Sequence, residues 1–140
     1  MSIQVIKFGG TSVANMSRIK NVVSIVEKKI NLTNDKIVVV VSAMSGVTNQ
    51  LVKSYKKINS NIADPEYDVI LSTGEQYSSA LISTMLGKKK INSRSVLGWQ
   101  IPVMTDGEHS KARIFKISQS FFKNQFSEFD VIVVAGFQGL

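Results

Sequence analysis

Lys7-Phe8-Gly9-Gly10-Thr11-Ser12 sets a cation and two residues without side chains at the point where an apolar run gives way to a turn. A Gly-Gly pair leaves backbone N–H groups open to an anion, and a following helix would add partial positive charge from its N-terminus. Lys7 supplies a full charge at the same place. The chemistry this suits is phosphate binding. The loop is not of the Walker A type, in which the lysine follows the glycines. The competing reading is a strand-to-helix turn that needs flexible residues, with Lys7 an ordinary solvated charge.

Three further stretches carry polar groups at informative places. Ser42-Ala43-Met44-Ser45-Gly46 follows a run of β-branched residues, so Ser42 reads as satisfying a strand end and Thr48 as the N-cap of the next helix. Ser72-Thr73-Gly74-Glu75 has the form of a capping box, with Glu75 folded back on the Ser72 N–H. Asp106 and His109 lie in a polar run and read as solvated turn residues with some substrate-side role open to them, and Trp99 reads as packing. The chain has no cysteine, which excludes disulfides, thiolate nucleophiles and Cys-based zinc sites, and its single histidine, His109, leaves little scope for a histidine metal cluster.

Alternating elements must position these groups. Ser2–Ile6 reads as a strand and Asn15–Ile30 as a helix, with Asn15 at the N-cap and Ile19, Val22, Val23, Val26 and Ile30 on one stripe. A polar break covers Asn31–Asp35. Ile37–Val41 and Val131–Ala135 are unbroken apolar runs of the kind buried on both faces of a parallel sheet. Leu51, Val52, Tyr55 and Ile58 mark a second helix. Asp64-Pro65 starts a third that runs to about Leu86, with a break expected near Ser72-Thr73-Gly74 and a stop at Gly87. Ile91–Val96 reads as a strand, 98–113 as a hairpin or excursion turning at Asp106-Gly107, and Phe115–Phe126 as a short helix. The β-α-β-α order implies a doubly wound, mainly parallel sheet with helices on both faces. Ligands in such folds bind beyond the carboxyl ends of the strands, so the turns after Ile6, Val41 and Ala135 should meet.

Composition sets the remaining bounds. A chain of 140 residues with 44% hydrophobic content makes one domain with a real core. The net charge of +7 comes from 14 Lys and 3 Arg, and the lysines are spread along the chain. That dispersal argues against a nucleic-acid partner. No leader-like segment and no span of membrane length appears, so a soluble, cytoplasmic chain is expected.

Taken together, the motifs resemble those of the aspartate kinases, within the amino-acid kinase superfamily. The matching stretches are Lys7–Ser12, Val40–Asn49, Leu71–Glu75, Gly98-Trp99-Gln100 and Val134–Gly139, in the family's order along the whole chain. The resemblance implies a three-layer α/β/α fold of the carbamate-kinase type. It also implies transfer of the γ-phosphoryl group of ATP, with Mg2+ carried by the nucleotide, to the side-chain carboxylate of L-aspartate. The product would be 4-phospho-L-aspartate, at the start of lysine, threonine and methionine biosynthesis. By that match Lys7 stabilises the transferring phosphate and Lys7, Phe8, Gly9 and Gly10 bind the ATP phosphates. Ser42, Thr48, Glu75 and Phe137 bind aspartate, with Glu75 facing its ammonium group.

The resemblance covers residues 1–140 as the amino-acid-binding part of a catalytic domain. The family's later Arg-Gly-Gly-Ser-Asp stretch, its nucleotide-base segment and its regulatory domains have no counterpart in the sequence. A homo-oligomer and a missing C-terminal half are both left open as partners, and the final strand is expected to present an uncovered sheet edge. The alternatives are a non-catalytic remnant or interaction module that keeps the fold, and a related kinase acting on glutamate.

Overall fold

The computed structural model of the chain describes residues 2–140. Four strands form a wholly parallel sheet: β1 (Ile3–Phe8), β2 (Lys36–Val41), β3 (Ser93–Val96) and β6 (Val131–Ala135), in the order β1-β2-β6-β3. The two unbroken apolar runs are the two interior strands, as double burial requires. The final strand β6 is therefore not an edge, contrary to expectation; β1 and β3 are. A separate antiparallel pair, β4 (Val103–Thr105) and β5 (Ile114–Ile117), makes the expected hairpin, its connection running from 106 to 113.

The two sheet faces are covered by different elements. On one lie α1 (Met16–Thr33) and α3 (Pro65–Lys88), whose Ile19, Val22, Val23, Val26, Ile82 and Leu86 pack on Ile37, Val39, Val41, Val131 and Val133. The helix α2 (Val47–Lys56) rests against α3. On the other face the short α4 (Gln119–Gln125) and the hairpin bring Phe121, Phe122, Phe126, Ile101 and Val103 against Val38, Ile132 and Val134. Three α/β/α layers result, with the third one partial. Register places Ile3 and Val5 of β1 on the same face as Val38, yet both are exposed because α4 and the hairpin stop short of that edge.

Several boundaries differ from the sequence reading. β1 continues through Lys7 and Phe8, so Lys7 sits in the strand and not after it. α1 is capped by Asn15, whose side chain accepts the Arg18 N–H at 3.0 Å, and it runs on to Thr33 through most of the expected break. α3 starts at Asp64-Pro65 as expected but is unbroken, and it passes Gly87 to end at Lys88. The Ser72 and Thr73 hydroxyls turn back to the Val69 and Ile70 carbonyls, each at 2.7 Å, which lets two poor helix formers sit mid-helix. Phe115 belongs to β5; the helical part of that stretch begins only at Gln119, capped by Ser118.

Candidate functional site

The carboxyl ends of β1, β2 and β6 open on one cleft of about 630 Å³, lined by Lys7, Gly10, Val40 to Gly46, Thr48, Glu75, Gly136 and Phe137. Parallel strands all end on the same side, so three turns far apart in sequence converge by topology alone. Of the residues singled out in the sequence, Lys7, Gly10, Ser42, Thr48, Glu75 and Phe137 line this cleft. Phe8 does not: its ring is buried in the core, which leaves only its backbone near the loop. Gly9 lies beside the cleft rather than in its wall, with open space where a side chain would project.

The helix whose N-terminus meets the cleft is α2 rather than α1. α1 begins six residues beyond Gly10 and already spends its Asn15 cap on its own first turn. α2 instead begins at Gly46, whose φ of 81° requires a left-handed conformation that glycine adopts without strain. No side chain caps α2, and its Val47 N–H is spent on the Met44 carbonyl at 3.1 Å; this end of the helix lies beside Met44, Ser45 and Thr48 of the cleft wall. Thr48 is the second residue of α2 and not its cap, which removes the competing reading of that residue.

Glu75 stands in the middle of α3, so the capping-box reading of Ser72–Glu75 also falls. The helix carries it to the cleft floor because Gly74 beside it allows close approach: a Cβ at Gly74 would lie 2.9 Å from the Ala43 Cβ. Glu75 is only 6% exposed, and its Oε2 has no hydrogen-bond partner among the described residues. Burial pushes the Glu75 carboxyl up from its ordinary value, and the backbone amides of Ala43 and of Glu75 itself pull it back. A buried carboxylate with an unpartnered oxygen, on a residue that lines a cleft, is suited to receive a hydrogen-bonding cation.

Lys7 is exposed on the opposite rim. Phe137 closes the far side with 69% of its surface exposed and a φ of 54°, a sparsely populated conformation for an aromatic residue. Trp99 is exposed and lines a neighbouring hollow rather than the core, so the packing reading does not hold. His109 and Asp106 are not free turn residues. His109 Nδ1 lies 2.8 Å from Asp68 of α3, the Ser110 N–H also donates to that carboxylate, and Asp106 accepts the Arg113 N–H. The two bonds to Asp68 pin the hairpin connection to the start of α3. One residue that sequence reasoning missed is Ser78, fully buried, whose hydroxyl donates to the Ser42 carbonyl at 2.7 Å. A serine inside a helix gives no sequence signal for such a contact.

Comparison with known proteins gives a consistent result. The sequence model described as "Amino acid kinase family" matches residues 2–140. The aspartokinase of Rickettsia conorii is 43% identical over 143 residues, and the aspartate kinase of Pseudomonas putida is 44% identical over 140; each match takes in 100% of this chain. The chain spans about a third of the length of these relatives, 35% and 34% respectively. Among solved structures, the aspartate kinase of Synechocystis superposes with a TM-score of 0.79 at 36% identity, over 100% of this chain and 22% of that one. E. coli aspartokinase III, solved with aspartate and ADP, superposes with a TM-score of 0.76 over 96% of this chain and 40% of that one; at 18% identity it speaks for the fold alone.

Proposed function

The chain belongs to the amino acid kinase family, and on that premise we propose that residues 1–140 form the amino-acid-binding part of an aspartate kinase catalytic domain. The reaction is transfer of the ATP γ-phosphoryl group to the side-chain carboxylate of L-aspartate. A carboxylate oxygen attacks the γ-phosphorus, the bond to the β–γ bridging oxygen breaks, and ADP leaves with 4-phospho-L-aspartate as product. Aspartate is already ionised at neutral pH, so the protein need supply no base. What it must supply is positioning and charge.

The observation that carries this reading is the buried Glu75 carboxylate with its unpartnered oxygen, in the same cleft as Lys7. Glu75 takes the aspartate ammonium, Ser42 and Thr48 contact the same substrate, and Phe137 covers it. The side-chain carboxylate then points toward the β1 rim, where Lys7 and the open backbone of Gly9 and Gly10 meet the nucleotide phosphates. Magnesium is expected to arrive with the nucleotide, held by its phosphates. The relatives' names and the aspartate and ADP of the E. coli enzyme support the substrate pair. Because this chain spans about a third of those relatives, turnover is proposed for the assembled kinase domain, and weak binding without turnover for this segment alone.

The test is a chimera in which this segment replaces its counterpart in the Pseudomonas putida enzyme. With ATP, magnesium and aspartate, acyl phosphate is trapped as the hydroxamate. Aspartyl hydroxamate well above an ATP-only control, with little product from glutamate, is expected. A folded chimera that makes neither product, or makes both equally, contradicts the reading.

A further inference from the structure

The peptide unit joining Ser42 to Ala43 is tied to α3 through its carbonyl. Its position makes that necessary: the Ser42 N–H donates to the Phe8 carbonyl at 3.1 Å, and beyond it the sheet ladder ends. Nothing in the sheet therefore fixes the next peptide plane. On one side of that plane, the Ser78 hydroxyl donates to the Ser42 carbonyl at 2.7 Å. On the other, the Ala43 N–H favours the charged form of Glu75. Glu75 and Ser78 are three residues apart on α3 and so share a face. A hydroxyl has one proton, and the longer 3.2 Å contact from Ser78 to the Glu75 carbonyl leaves the Ser42 bond as the better of its two. Close packing of Gly74 on Ala43 keeps helix and loop at this spacing.

We propose that Ser78 is a positioning residue for the amino-acid end of the cleft: through the Ser42 carbonyl it holds the Ser42–Ala43 peptide in place beside Glu75. Ser78 is fully buried and does not line the cleft, so it touches no substrate. Without its hydroxyl the Ser42 carbonyl is left unpaired in a part-buried place, and the peptide is free to rotate to find a partner. Glu75 then loses the amide that offsets its burial. The same rotation displaces Ser42 itself. The inference rests on the reading of Glu75 as the ammonium receptor, but its structural part stands apart from any substrate.

The whole 140-residue chain, labelled with 13C at the glutamate carboxyls, provides the test. Ser78→Ala is expected to move the Glu75 titration midpoint upward and to weaken L-aspartate binding about tenfold. Ser78→Thr, which keeps the hydroxyl, restores both. If the alanine variant does not fold, Ser78→Cys makes the same comparison with nearly the same volume and a poor donor. A folded alanine or cysteine variant in which Glu75 titrates as in the wild type overturns the proposal. Should the wild-type chain bind no aspartate, the receptor reading fails, while the titration still decides the role of Ser78.

Discussion

The two walls of the cleft are built on opposite plans. On the α3 wall, Glu75 and Ser78 are buried, Gly74 touches Ala43, and Ser42 is bonded to both β1 and α3. On the β1 rim, Lys7 is exposed, a Cβ at Gly9 would meet nothing within 4 Å, and one at Gly10 would meet only the Ala43 carbonyl oxygen at 3.6 Å. A wall that recognises a small amino acid must be rigid and dry, because discrimination comes from buried polar groups that punish a wrong partner. A rim that receives a phosphate chain needs open backbone and an unhindered cation. Substitutions in the first wall should therefore register in stability as well as binding, and those in the rim in activity alone.

The largest expected effect is on the rim. In the chimera, Lys7→Ala should lower kcat by roughly a hundredfold or more, about 3 kcal/mol of transition-state stabilisation. The thermal stability of the same variant should stay within about 0.5 kcal/mol of the parent. Near-parental kcat would remove Lys7 from the chemistry; a large stability loss would break the contrast between the walls.

On the α3 wall, Gly74→Val should cost about 1–3 kcal/mol in urea unfolding, since its side chain would be driven into Ala43. An unchanged midpoint would mean that the close contact between helix and loop is not a constraint.

Glu75 gives a sharper test through pH. Its carboxyl is raised by burial, so the folded chain favours the neutral form. That contribution to stability is full at pH below the ordinary carboxyl value and is lost as pH rises through the raised one. Glu75→Gln should remove this dependence and make the ligand-free chain more stable at neutral pH, on the order of 1 kcal/mol. A variant less stable than wild type at pH 7 would show that the carboxylate is better satisfied than its free oxygen indicates.

The smallest effect should come from Gly9→Ala, whose added methyl meets open space. Stability should hold or rise by less than about 1 kcal/mol. The chimera carrying it should lose ATP affinity, visible as a higher KM for ATP.

The sheet was readable from the sequence because its signals are local. Ile37–Val41 and Val131–Ala135 are unbroken apolar runs with one sensible place in a parallel sheet, and Asn15 and Asp64-Pro65 mark helix starts within a few residues. Convergence of Lys7, Ser42 and Phe137 followed from topology, since all parallel strands end on one side. What escaped was set by distant contacts. The expected break at Ser72-Thr73-Gly74 is instead a continuous helix, because its glycine serves the approach of Ala43 and its hydroxyls bond within α3. The helix nearest the Gly-Gly pair, α1, is not the one whose N-terminus faces the cleft; Gly46 places α2 there. Ser78 and the pairing of His109 with Asp68 depend on which elements lie side by side, and no local pattern encodes that.

The central claim is that Glu75 reads the ammonium group of the substrate across the cleft from Lys7. Succinate is aspartate without that ammonium group, so the most direct measurement compares kcat/KM for the two acids in the parent chimera and in its Glu75→Gln variant. The parent should prefer aspartate by a hundredfold or more, roughly 3 kcal/mol of recognition by a buried charged partner, and the variant should lose most of that preference by losing aspartate rather than by gaining succinate. If Glu75→Gln keeps the parent's preference for aspartate, the ammonium is held elsewhere and the assignment of this wall is wrong.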